Sequence, residues 1–135
     1  MNVHCLYQSD PQDGAHMGMQ RKVCRGAARK LHWNVTNEFV SESRPETPLL
    51  MRPAVKAVLR AAANGRFQTL VIESTESMLC SEGNLECLLT ILRNHRIHVF
   101  SAQKARWVEP GGRSYSPPPT APWRQDNPKD CANYL

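Results

Sequence analysis

The sequence has no apolar run of about 18 residues, the length a helix needs to cross a bilayer, so no membrane span is expected. It has no C-x-x-C spacing either. Its five cysteines, Cys5, Cys24, Cys80, Cys87 and Cys131, are an odd number. Both facts argue against a disulfide framework or a zinc site and leave reduced thiols of a cytoplasmic protein as the expectation. No Gly-rich loop follows the first apolar segment. Ser9-Asp10-Pro11-Gln12-Asp13-Gly14 holds one glycine and two acids, a poor cradle for phosphate. No nucleotide or other cofactor, and no metal, is therefore expected. The opening Met1-Asn2-Val3-His4-Cys5-Leu6-Tyr7 lacks the charged lead and apolar core of a secretory signal. Acid is missing between Asp13 and Glu38, where Arg21, Lys22, Arg25, Arg29 and Lys30 all fall.

With 135 residues and a hydrophobic fraction of 41%, the chain can build one core but not two. Net charge is +5 and the pI is ≈ 9.2, a balance compatible with nucleic acid as a partner. Residues 2 to 8 alternate Val3, Cys5 and Tyr7 against Asn2, His4 and Gln8, which suits a first strand. From Met17 to His32 apolar Val23, Cys24, Ala27, Ala28 and Leu31 recur at helical spacing, with the basic residues on the remaining faces. Trp33 to Val40 suits a second strand. Pro45 and Pro48 make residues 41–50 a loop. Pro53 fits the first turn of a helix that Asn64-Gly65 ends. Thr69 to Glu73 has the continuous apolar character of a strand buried on both faces. Leu85, Leu88, Leu89 and Leu92 stripe a helix near 81–95, and Ile97 to Ser101 is a further strand.

Strands alternating with helices require crossovers, so the predicted fold is α/β: a doubly wound, mainly parallel sheet of four or more strands with helices on both faces. This domain is expected over residues 1–103. After Lys104 come Gly111-Gly112, Pro117-Pro118-Pro119, Pro122 and Pro128, so residues 104–135 read as an extended or disordered tail, with Trp107 and Trp123 able to dock it.

Helix, strand, helix, strand over residues 52–101, opened by Arg52-Pro53 and with Glu73-Ser74-Thr75-Glu76-Ser77 after the first of those strands, resembles the catalytic domain of the serine recombinases (resolvases and invertases). The resemblance covers roughly residues 2 to 103. It implies a serine that attacks a DNA phosphate, a phosphoserine linkage, and arginines that neutralise the charge growing on that phosphate. The family's Tyr-x-Arg-x-Ser pattern meets Tyr7-Gln8-Ser9-Asp10 here: the tyrosine is kept, the arginine is lost, and Ser9 becomes the nucleophile candidate. Gln20 resembles a glutamine that follows in the family. Arg52 corresponds to an active-site arginine, and Glu42 stands where an aspartate is usual. In the Asp-Arg-Leu-x-Arg segment, Glu76 replaces the aspartate, Ser77 the first arginine and Cys80 the second.

Three of four phosphate-clamping arginines are thus missing, and losing one such donor typically costs about 10²–10³ in rate. The long helix that leaves the family's catalytic domain cannot continue through Pro110-Gly111-Gly112. The expected function is that of a catalytically degenerate recombinase-like domain that binds DNA, a recombinase partner or a second copy of itself. An active enzyme of DNA strand exchange and an unrelated α/β interaction module are the alternatives. For DNA the candidates are Arg21, Lys22, Arg25 and Arg29. Arg21, Arg25 and Arg29 form a row about 12 Å long, which predicts a log–log salt slope of about −3.

Overall fold

In the computed structural model, which describes residues 1–9 and 15–111, the alternating opening segment becomes a central strand, β1 (Asn2–Gln8). It pairs in parallel with β2 (Asn34–Ser41) on one side and with β3 (Thr69–Ile72) on the other. Beyond β3 lies β4 (His98–Ser101), also parallel, and β5 (Arg106–Val108) closes the sheet antiparallel. The order is β2-β1-β3-β4-β5. The chain steps to one side of β1 and then to the other, so strand order reverses between β1 and β3. Doubly wound sheets bind ligands beyond the carboxyl ends of strands at such a point.

Period-two alternation divides the sheet between two cores. Leu6, Leu70, Ile72 and Val99 face α2 (Pro53–Ala63) and α3 (Glu82–Asn94), packing with Val55, Val58, Leu85, Leu88 and Leu92. Val3, Cys5, Tyr7, Val71 and Phe100 face the opposite side, where α1 (Ala15–Lys30) contributes Cys24. One helix does not cover five strands. The ring of Trp33 meets Phe100 edge-on at 5.0 Å and Trp107 does so at 5.2 Å, which fills the remainder of that face.

The helix boundaries have local causes. Arg52 is held extended before Pro53, as a residue preceding proline prefers, and the proline starts α2 where its missing N–H costs nothing. Gly65 follows α2 at φ 66°, a conformation that favours glycine. In α3 the Ser81 hydroxyl accepts from the Asn84 amide at 3.2 Å, Glu82 lies in the first turn and Arg93 in the last, each favourable to the helix dipole.

Two expectations need correction. The sequence predicts an extended tail from residue 104, yet residues 106–108 form β5, because Trp107 registers opposite Phe100 and their rings pack together. The thiols Cys5 and Cys24 are free as expected, but Cys87 is disulfide-bonded. The Asp10–Gly14 loop and the proline-rich stretch with Trp123 lie outside the described residues. Among the described residues no helix is long and apolar enough to cross a membrane.

Candidate functional site

Strand β1 delivers Gln8 and then Ser9 to the sheet edge where strand order reverses. The Ser9 amide donates to the carbonyl of Ser41 at the end of β2 (2.7 Å). From α1, the buried Gln20 amide clamps the Gln8 backbone in both directions. Its Oε1 accepts from the Gln8 N–H at 3.0 Å and its Nε2 donates to the Gln8 carbonyl at 2.6 Å. The Gln8 side chain is equally occupied: Nε2 donates to the carbonyls of Ser9 (3.0 Å) and Ser43 (2.8 Å), and Oε1 accepts from Arg52 (3.0 Å).

Arg52 is entirely shielded from solvent, at 0% exposure. Its Nε donates to the Thr47 carbonyl at 2.9 Å. Nη1 donates to Gln8 Oε1 at 3.0 Å and to the Met78 carbonyl at 2.7 Å, and Nη2 to the carbonyls of Pro45 at 3.1 Å and Leu79 at 2.8 Å. A guanidinium has five N–H donors, and here each has an acceptor within the protein. Burial lowers the Arg52 pKa from its usual value, but a guanidinium stays charged in a protein. Its charge is solvated by four carbonyls and one amide in place of water. One of those carbonyls belongs to Leu79, held at φ 51°, a left-handed conformation that a leucine adopts only when its surroundings impose it. Arg52 therefore ties three segments together: the end of β1, the loop at 45–47 and the turn before α3.

That turn carries the residues where the resemblance asks for arginines. Ser77 is buried, and its hydroxyl donates to the Ser74 carbonyl at 2.7 Å while the Ser77 N–H donates to the Ser74 hydroxyl at 3.1 Å. Cys80 is half-buried. Glu76 is exposed and pairs with Lys104 at 3.3 Å, and Glu42 is exposed just past β2. Glu73, at the end of β3, has its carboxylate 3.9 Å from His16 Nε2. The two carboxylates at this edge of the sheet, Glu73 and Glu76, thus each lie beside a basic side chain.

Tyr7 points away from Arg52, onto the face that α1 covers. Its hydroxyl donates to Glu38 Oε2 at 2.5 Å, and burial, then this hydrogen bond, push its pKa far above the usual phenol value. Arg25 grips the same carboxylate through Nε at 2.9 Å and Nη2 at 2.6 Å, which holds Glu38 below the ordinary carboxylate range. Arg21 Nε lies 3.7 Å from Glu38, with its guanidinium 5.6 Å from the centre of the Tyr7 ring. Two arginines of the basic row are thus directed at an acid on β2, while Lys22 and Arg29 are exposed without a carboxylate partner among the described residues. Sequence reasoning overlooked Glu38, although it is the acid that ends the acid-free stretch. It also overlooked the side chain of Gln8.

No protein-family model matches the sequence, and no curated protein matches it. Solved structures do match. The C-terminal catalytic domain of ISC1926 TnpA, an IS607-like serine recombinase, superposes with a TM-score of 0.65 at 9% identity, over 76% of this chain and 67% of that one. The N-terminal catalytic domain of TP901-1 integrase gives 0.63 at 15% identity, over 84% of each chain. A resolvase family site-specific recombinase from Streptococcus pneumoniae gives 0.64 at 8% identity, over 79% of this chain and 75% of that one. The chain has the serine recombinase catalytic-domain fold. Within that fold, Ser9 and Arg52 are joined through Gln8, but they do not face each other across an open cleft, because Arg52 lies wholly beneath the surface.

Proposed function

We propose that this chain is a catalytically silent serine recombinase-fold domain that works by binding duplex DNA as a component of a recombination complex, in the cytoplasm. The observation that carries this reading is the saturation of Arg52. All five of its N–H donors bond to internal oxygens, so none remains for a phosphate. The other arginine positions of the resemblance hold Ser9, Ser77 and Cys80, none of which carries positive charge. Tyr7, the tyrosine of the motif, is turned to the other face and hydrogen-bonded to Glu38. The DNA-binding part of the proposal rests on Lys22 and Arg29, whose positive charges are exposed and have no carboxylate partner among the described residues.

Incubation of the full chain with supercoiled DNA, quenched in denaturant and resolved for protein-linked DNA, tests the silence. The expected result is no covalent adduct. An adduct that disappears in Ser9→Ala would mean the chain is an active recombinase.

A further inference from the structure

We infer that the end of the sheet opposite the recombinase edge is a stacking surface for single-stranded nucleic acid. This surface shares Arg29 with the duplex-binding face of α1 but is otherwise separate from it, and the ligand class goes beyond that reading. Two open grooves meet there. One, of ≈ 680 Å³, runs between the last turns of α1 and the start of β2 and includes Arg25, Arg29, Trp33 and Thr36. The other, of ≈ 630 Å³, lies under the N-terminal ends of β3 and β4 and includes Phe67, His95, Arg96, His98 and Trp107. Their linings touch where Trp33 and Trp107 meet, with ring centroids 5.6 Å apart.

Trp107 is an unusual surface residue. It is 45% exposed, yet its orientation is set by edge contacts with Phe100 at 5.2 Å and His98 at 5.9 Å. A wide apolar ring held rigid beside a groove offers a face for stacking without an ordering cost on binding. The charges around it favour an anion. Each carboxylate in the two linings is already gripped by an arginine, Glu38 by Arg25 and Glu109 by Arg93. Arg29 and Arg96, one in each groove, have no carboxylate partner among the described residues and are exposed.

Aromatic platforms flanked by uncommitted arginines are what an unpaired strand requires: bases stack on the rings and phosphates meet the cations. A duplex keeps its base faces stacked inside and presents only its backbone and base edges to such a surface. An acidic peptide would use the arginines but has no equivalent of a base to lay on Trp107.

The test is a fluorescence titration of the full chain with oligo(dT), with a duplex of equal length and with a poly-glutamate peptide, at two salt concentrations. The expected result is tighter binding of oligo(dT) than of either competitor, with quenching of tryptophan emission. Trp107→Ala should weaken oligo(dT) binding roughly tenfold and leave duplex binding unchanged. Arg96→Gln, an exposed change that leaves the core intact, should make the salt slope for oligo(dT) shallower by about 0.7. No binding of oligo(dT), equal affinity for duplex, displacement by poly-glutamate at equal charge, or an Arg96→Gln slope identical to the parent would each overturn the inference.

Discussion

His4 is the residue whose chemistry makes the clearest demand on conditions. Its ring stacks on Phe67 with centroids 4.2 Å apart and tilts against Phe39 at 5.5 Å, and Nδ1 meets the Thr36 hydroxyl at 2.9 Å. At 5% exposure the charged imidazolium is poorly solvated, and burial lowers the pKa below its ordinary 6.5. Below pH 6.5 the unfolded chain takes up a proton that the folded chain resists, so this part of the stability is complete above pH 6.5 and declines as the pH falls through the folded value. Glu38 acts in a separate window: its lowered pKa gives stability that is present above the usual 4.5 and is lost as the pH falls through the folded value. The urea midpoint should therefore fall in two steps on acidification. His4→Phe should remove the upper one. A midpoint in that variant that still drops just below pH 6.5 would show that another group is responsible.

At the scale of an element, α1 decides how much duplex affinity the domain has. Lys22 and Arg29 are seven residues apart and point the same way on the helix, next to Arg25. With Arg21 and Arg25 directed at Glu38, only Arg29 remains of the row read from the sequence, and with Lys22 it makes two cations that have no carboxylate partner among the described residues. Each phosphate neutralised on duplex DNA contributes a slope of about −0.9, so the expected log–log salt slope is about −1.8 in place of the −3 of a free row. Lys22→Gln combined with Arg29→Gln should bring the slope close to zero, whereas Arg21→Gln should leave it unaltered. Titration against duplex DNA at several salt concentrations measures this, and a slope that survives the double substitution would place the binding face elsewhere. The element missed from sequence, β5, shows a limit of pattern reading. Three residues, Arg106-Trp107-Val108, between Ala105 and Glu109 carry no period of their own, and only the packing of Trp107 on Phe100 makes them a strand.

For the whole molecule, the doubly wound plan was legible because each crossover leaves its own signature. Pro53 and Gly65 bound α2, the leucine stripe marks α3, and the alternation in residues 2–8 marks β1. The site was legible only as a set of positions. A lone glutamine at a strand end carries no pattern, so the role of Gln8 as the acceptor for Arg52 is invisible until three loops are brought together. Arg52-Pro53 reads equally well as a phosphate ligand or as a helix start. What decides is the set of carbonyls at Pro45, Thr47, Met78 and Leu79, which belong to segments distant in sequence.

The account turns on that arginine being a strut of the fold and not a hand held out to DNA, and the unfolding free energy of Arg52→Gln tests this most directly. If all five donors are committed inside, the substitution strips partners from four carbonyls and from Gln8, and urea unfolding should show a loss of about 3 kcal/mol or more. A loss within about 0.5 kcal/mol, the usual scale for a surface change, would mean that the guanidinium is free to meet a ligand and would contradict the account.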